Sequence, residues 1–88
     1  MIKKYRQKPV EVEAIQFDGS PESAVEITRW LTTHGIESRF NRKTITIHHS
    51  KYYNIEAFES DWVLVDLQDN LPEVQFDFDF KEQYESAE

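Results

Sequence analysis

The chain has 88 residues, no cysteine and a formal net charge of −7 at pH 7. This length is typical of one small domain, so we interpret residues 1–88 as a single domain with frayed termini. The lack of cysteine excludes a disulfide framework and a thiolate metal site. No apolar run reaches the length of a signal-peptide core or a membrane span, so we expect a soluble cytoplasmic protein without membrane contact.

The charge is distributed unevenly along the chain. Residues 1–51 carry nine basic and six acidic side chains, whereas residues 52–88 carry one basic and eleven acidic side chains. The first part therefore has a net charge of +3 and the second a net charge of −10. Such asymmetry indicates an interaction surface or a pairing of the two halves, and the alternative is that the excess acid only keeps a small protein soluble.

The first third of the chain predicts a strand and then a helix. After a basic lead-in over residues 2–8, Pro9 marks the start of a strand that runs from Val10 to Phe17. Asp18-Gly19 is typical of a turn, Ser20 of an N-cap, and Gly35 of the residue that ends a helix. We expect an amphipathic helix from Pro21 to His34. Its apolar stripe is Ala24, Ile27, Trp30 and Leu31.

The remaining chain predicts strands. Ile36–Phe40 and Thr44–His49 form a hairpin around a polar turn, Tyr53–Phe58 is a short strand, and Trp62–Asp66 is apolar enough to be central. Val74, Phe76, Phe78 and Phe80 then alternate with polar side chains, which predicts a half-buried strand from Val74 to Phe80. Its phenylalanines, like Trp30 and Trp62, would enter the core. Phe80–Tyr84 would add a terminal helical turn.

These elements predict an α+β domain. One amphipathic helix would pack on a small antiparallel or mixed sheet of four to five strands, in an order that the pattern leaves open. The edge strands of such a sheet are open to pairing, which makes a homodimer one expected assembly.

The residue types favour binding over catalysis. Of the three histidines, His48 and His49 are adjacent on a strand and point to opposite faces, so they do not chelate one ion together. There is no serine nucleophile elbow and no glycine-rich phosphate loop. The net negative charge argues against direct binding of nucleic acid, although Lys3–Lys8 and Arg39–Lys43 each combine basic and aromatic side chains. We expect a non-enzymatic protein without a metal or a cofactor.

Three segments resemble a family of small proteins of tailed bacteriophages and prophages. The opening from Lys3 to Gly19 resembles the family's N-terminus, K-Y-R-x-K-P-V-x-V-E-A-I-Q followed by F or W. Ser60-Asp61-Trp62-Val63 stands where the family carries a strand that begins G-D-W, with serine in place of glycine. Asp77–Glu85 stands at the family's D-x-F-x-x-x-Y-E tail, and Leu71–Phe76 replaces a basic, cysteine-bearing run.

The resemblance implies a compact α+β fold and a phage origin, but no particular reaction. Because small phage genes are disproportionately directed at host machinery, it implies a protein of the host cytoplasm that inhibits or modulates a host protein. The alternative is a structural or accessory component of the virion or of its assembly.

Acidic side chains supply the predicted partner-binding surface. On the predicted strand, neighbouring carboxylates on one face would stand about 6.5–7 Å apart, close to the spacing of phosphates along one nucleic-acid strand. The hypothesis is a DNA-mimicking face that meets a basic, nucleic-acid-binding surface of a host protein. The alternative is that these acids provide solubility or pair with the chain's own basic half. The candidate residues are Asp66, Asp69, Glu73, Asp77 and Asp79.

Overall fold

A computed structural model describes residues 11–50 and 53–84 of the chain. They form an α+β fold of two helices and two three-stranded antiparallel sheets. The α+β class is confirmed, but the expectation of one helix on one sheet of four to five strands was wrong. Residues 1–10, 51–52 and 85–88 lie outside the described residues. The predicted basic lead-in, the predicted strand start at Pro9 and Val10, and the predicted frayed end over residues 86–88 fall in these ranges.

The elements follow the predicted order up to the last strand. Their bounds are β1 (Val12–Gln16), α1 (Pro21–Thr33), β2 (Ser38–Phe40), β3 (Ile45–Ser50), β4 (Tyr53–Ala57), β5 (Trp62–Asp66), β6 (Pro72–Gln75) and α2 (Asp77–Gln83). The predicted hairpin is β2–β3, and the predicted strand Trp62–Asp66 is β5 with the same bounds.

The first sheet has the strand order β1-β5-β6, with β5 in the centre. Val12 lies opposite Asp66 and Gln16 opposite Trp62 across β1 and β5, and Trp62 lies opposite Gln75 across β5 and β6. Because side chains alternate along a strand, Val63 and Val65 share one face while Trp62 and Leu64 share the other. Trp62 thus has a strand partner on either side, Gln16 of β1 and Gln75 of β6.

The second sheet has the order β2-β3-β4. Ile45 lies opposite Ala57, and Ile47 lies opposite Ile55 and, on the other side, Ser38. The register of β3 and β4 shifts between His48 and Ser50, where a bulge interrupts the alternation. The inner face of this sheet is apolar and its outer face is polar.

The core lies between the two sheets and α1. The side chains of this core come mainly from the helix stripe, from one face of β5 and from the inner face of the second sheet. Trp30 packs against this core and is half-buried, whereas Trp62 lies on the opposite face of the first sheet, so its predicted place in the core was wrong. The core residues are Phe17, Ala24, Ile27, Leu31, Ile36, Ile45, Ile47, Ala57, Val63 and Val65.

Helix α1 has the ends that its sequence predicts. The Ser20 hydroxyl accepts a hydrogen bond of 3.1 Å from the Ser23 N–H, and Pro21 occupies the first helical position. Asp18 accepts a hydrogen bond from the Ser20 N–H. Hydrogen bonding with the Ser20 side chain, and then with its N–H, lowers the pKa of the Asp18 carboxyl. The helix ends before Gly35, whose φ of 73° is readily adopted only by glycine.

A polar cluster fastens the C-terminal end of α1 to the first sheet. Glu13 Oε1 on β1 accepts hydrogen bonds from Trp30 Nε1 at 2.9 Å and from His34 Nε2 at 3.0 Å. Asn70, in the turn between β5 and β6, donates to the His34 carbonyl and places its own carbonyl 2.9 Å from His34 Nδ1. The Trp30 N–H, followed by His34, lowers the pKa of the Glu13 carboxyl.

The predicted strand from Val74 to Phe80 is wrong beyond Gln75. Strand β6 ends there, and helix α2 begins at Asp77. Two observations explain the difference. Asp77 and Asp79 place negative charge in the first helical turn, which the helix dipole favours, and Phe80 and Tyr84 stack at an i, i+4 spacing with ring centroids 5.1 Å apart. Phe76 and Phe78, predicted to be in the core, are 68% and 71% exposed.

A tight turn between β4 and β5 has a strained residue. The Asp61 N–H donates to the Phe58 carbonyl at 3.0 Å, and the buried Asp61 carboxylate accepts from the Phe58 N–H at 2.9 Å. Ser60, the third residue of this turn, has a φ of 77°, where glycine is the preferred residue. Ser60 therefore keeps a conformation that is suited to glycine.

We predict that Ser60→Gly stabilises the protein by about 1 kcal/mol. The substitution relieves a left-handed conformation that costs a non-glycine residue about 1–3 kcal/mol, and part of this gain is offset by the greater freedom of glycine in the unfolded chain. Urea denaturation measures the effect. Glu59→Gly, at a neighbouring residue without positive φ, is the control and should destabilise. A lower midpoint for Ser60→Gly would contradict the assignment of strain.

Candidate protein-binding groove

Helix α2 is held on the first sheet by one carboxylate and one aromatic stack. Asp77 Oδ1 accepts hydrogen bonds from Trp62 Nε1 at 2.8 Å and from Gln16 Nε2 at 3.2 Å, and Asp77 Oδ2 lies 3.0 Å from Lys81 Nζ. The Phe80 ring stacks on the Trp62 indole, with centroids 4.0 Å apart and planes 10° from parallel. We call this arrangement of Gln16, Trp62, Asp77 and Phe80 the α2 clasp.

Contacts at and near the clasp shift the pKa values of two groups. Its Trp62 N–H, and then Lys81, lower the pKa of the Asp77 carboxyl, because both interactions favour the ionised form. At the end of the helix, burial raises the pKa of the Tyr84 hydroxyl, and the negative charges of Glu73 and Asp66 raise it further. The packing of α2 on the first sheet is therefore most stable when Asp77 is ionised and Tyr84 is neutral.

The clasp also sets which side chains α2 presents to solvent. Since Asp77, Phe80 and Tyr84 share the side that faces the sheet, the helical period of 100° per residue turns Phe76 and Asp79 to a second side and Phe78 to a third. Phe76 has no side-chain capping bond and stays 68% exposed at the start of the helix. The most exposed aromatic side chains of the described residues are thus a consequence of how α2 is anchored.

An open groove runs between β4, β6 and the second side of α2. Its apolar surface comes from Ile55, Phe58, Val74 and Phe76, and Phe58 is 53% exposed. The acidic side chains Glu56, Glu73 and Asp79 stand along it, with the amides of Gln75 and Gln83 between them. Asp61 also lines it, but its buried carboxylate is used by the Phe58 N–H. We call this surface the aromatic-acidic groove.

No cation from the described part of the chain matches the negative charge of the groove. Among residues 11–50 and 53–84, the ion pairs are His34 with Glu13 and Lys81 with Asp77, and neither lies in the groove. Glu73 accepts one hydrogen bond of 2.9 Å from Gln75 Nε2, which also donates to Gln83. The groove is therefore suited to an occupant that brings both apolar surface and positive charge.

The structure separates the five predicted site residues. Asp66 accepts hydrogen bonds from the N–H groups of Gln68 and Asp69 and so caps the turn after β5, in which Asp69 itself is exposed. Asp77 belongs to the clasp. Because residues 77–83 are helical, Asp77 and Asp79 do not share a strand face, and the predicted phosphate-like spacing of carboxylates is wrong.

Two of the five predicted residues, Glu73 and Asp79, meet in the groove. The sequence analysis missed its aromatic members, Phe58 and Phe76, because alternation placed Phe76 in the core and Phe58 at the end of a strand. A signal was present in the sequence: acids at two of the first three positions after Phe76 are typical of a helix start. A helix start at this point would have ended the predicted strand before Phe76.

The three histidines make separate contacts. His34 belongs to the Glu13 cluster, the exposed His48 faces Asn54, and the His49 ring stacks on Tyr53 with centroids 4.7 Å apart. Within the residues that the structure describes, no three or more His, Cys, Asp or Glu side chains converge as a metal site. In the same residues, no helix is long and apolar enough to cross a bilayer.

Comparison with known proteins adds no relative. No family model matches the chain, and no match was found among curated proteins or solved structures.

We predict that Asp77→Asn lowers the free energy of unfolding at neutral pH. It should also make that free energy less dependent on pH. The folded-state pKa of Asp77 lies below its unfolded value, so the stabilisation is present above the ordinary aspartate pKa of about 3.9 and is lost as the pH falls through the folded value. The free energy of unfolding of wild type and variant, measured from pH 7 to pH 2, should therefore converge at low pH.

Asp69→Asn is the matched control, because Asp69 is exposed in a turn and its carboxylate accepts no hydrogen bond within the described residues. Hydrogen exchange of the α2 amides supplies a local readout, and it should rise at pH 7 in Asp77→Asn only. A constant difference between wild type and Asp77→Asn across the whole pH range would contradict the role of the ionised carboxylate.

Proposed function

We propose that this chain is a small phage-encoded, non-enzymatic binding protein that inhibits or modulates a host protein through the aromatic-acidic groove. The observation that carries the proposal is the exposure of Phe76, 68% accessible in a groove edged by Glu73 and Asp79. The phage origin rests on the three sequence segments that resemble the phage family.

The aromatic side chains supply the energy for such an interaction. Burying a phenylalanine removes apolar surface worth about 1.5–3 kcal/mol, and interface energies are concentrated in a few aromatic or arginine anchors. Phe58 and Phe76 stand in one groove, 53% and 68% exposed. Since small domains bury their aromatic side chains where they can, two exposed rings in one concave surface favour a partner that covers them.

The negative charge favours a partner with a basic surface. The net charge of −7 and the acids of the groove would speed encounter with a basic surface and weaken that encounter as salt screens it. A host protein that normally binds nucleic acid has such a surface. Without a strand-spaced row of carboxylates, the resemblance to nucleic acid is one of net charge, and specificity would come from the rings.

A test is affinity capture from host lysate with the tagged full chain. Phe76→Ser should lose a stoichiometric host partner that the wild type retains, because the groove loses its most exposed ring. Val25→Ser is the control, since Val25 is an exposed apolar residue of α1 outside the groove. Retention of the same partner by Phe76→Ser, or recovery of phage structural proteins alone, would contradict the proposal, and the second result would favour the accessory role in the virion.

A second measurement separates the contribution of the groove acids from that of its aromatic rings. Once the partner is identified, Asp79→Asn should weaken binding at low salt and reduce the dependence of affinity on salt, because one screened attraction is removed. Glu82→Gln, an exposed acid of α2 outside the groove, is the matched control. An equal salt dependence for Asp79→Asn, Glu82→Gln and wild type would mean that the groove acids have no part in recognition.

A further inference from the structure

We propose that the aromatic-acidic groove recognises an arginine beside an apolar side chain in a segment of the partner protein. This inference rests on the proposed function and specifies the chemistry of the segment that is bound. It depends on three features of the groove: an apolar floor, two exposed aromatic rings and carboxylates that pair with no cation of residues 11–50 and 53–84.

The apolar floor accounts for the neighbouring side chain. Ile55 of β4 and Val74 of β6 lie in the groove, half-buried and packed against the core. An aliphatic side chain that covers their remaining exposed surface would be removed from water. The gain is about 25 cal/mol per Å² of apolar surface. A segment that carries charge alone would leave this floor uncovered.

The rings and the acids together favour arginine. A guanidinium group is planar, is weakly hydrated and stacks on an aromatic face while its five N–H donors form paired hydrogen bonds with carboxylates. Phe58 and Phe76 offer the exposed rings, and Asp79 stands on the same side of α2 as Phe76. An arginine that stacks on Phe76 therefore has a carboxylate acceptor on the same side of the helix.

Lysine would use only part of this site. Its ammonium group is a compact and strongly hydrated charge that does not form a planar pair with a carboxylate. It would be attracted by Glu56, Glu73 and Asp79, but it would gain less from the rings. The distinction between arginine and lysine therefore separates recognition by the groove from attraction to an acidic protein.

The probe is a fluorescein-labelled nonapeptide of alternating arginine and leucine, with a lysine–leucine peptide and a glutamate–leucine peptide as comparisons. Fluorescence anisotropy with the full chain measures binding. The arginine peptide should bind about three- to fivefold more tightly than the lysine peptide, as expected for a cation–π contact at an exposed site. The glutamate peptide should not bind.

Two variants locate the site. Phe76→Leu keeps an apolar side chain but removes the ring, so the arginine peptide should fall to the affinity of the lysine peptide, which itself should change little. Phe78→Leu is the matched control: Phe78 is 71% exposed on the same helix but does not line the groove, so this variant should bind as the wild type does. Equal affinities of the wild type for arginine and lysine peptides, or an equal effect of both variants, would overturn the inference.

Other occupants give different results. If the chain's own basic N-terminal segment filled the groove, replacing Lys3, Lys4, Arg6 and Lys8 by glutamine would tighten peptide binding at least tenfold. If a second copy filled it, sedimentation would show a dimer that Phe76→Leu dissociates. Either result overturns recognition of a partner segment.

The inference and the proposed function fail separately. A host protein captured through Phe76, together with no preference for the arginine peptide, would leave the proposed function standing and overturn the inference. An arginine preference lost in Phe76→Leu would support the inference, even if no host partner were captured, and the missing partner would then count against the proposed function alone.

Discussion

The hydrogen bond from the Trp62 indole to the Asp77 carboxylate, at 2.8 Å, is the contact on which the aromatic-acidic groove depends. It joins the central strand of the first sheet to the last helix, 15 residues further along the chain. Gln16 of the edge strand donates to the same oxygen, so three distant segments meet at one carboxylate.

The clasp converts a hydrophobic segment into an exposed one. If residues 74–80 continued as a strand, Phe76, Phe78 and Phe80 would all point to one face. In the helix, Phe80 stacks on Trp62 while Phe76 turns into the groove. The energy for holding Phe76 in water comes from the same carboxylate and aromatic stack that anchor the helix.

Both tryptophans of the chain donate their indole N–H to a carboxylate. Trp30 donates to Glu13 and fastens α1 to the first sheet, and Trp62 donates to Asp77 and fastens α2 to the opposite face. In each case the N–H lowers the pKa of the carboxyl, so both contacts lose their stabilising effect as the carboxyl is protonated in acid. Several acids of this acidic chain are thus structural, and Glu56, Glu73 and Asp79 are the ones that the fold leaves in the groove.

The sequence by itself determined the local elements: Ser20 and Gly35 marked the ends of α1, and alternation located β1, the β2–β3 hairpin and β5. It also identified Glu73 and Asp79 as candidate site residues. It did not determine the division into two sheets, because pairing of β1 with β5 depends on contacts between residues about 50 positions apart. It predicted a helical turn from Phe80 to Tyr84, but it did not determine a helix that begins at Asp77, since alternating phenylalanine and aspartate suits a strand as well as a helix start. Only the tertiary structure decided this, because the Asp77 carboxylate and the Phe80 ring need Gln16 and Trp62 as partners, and those partners come together only when the sheet has formed.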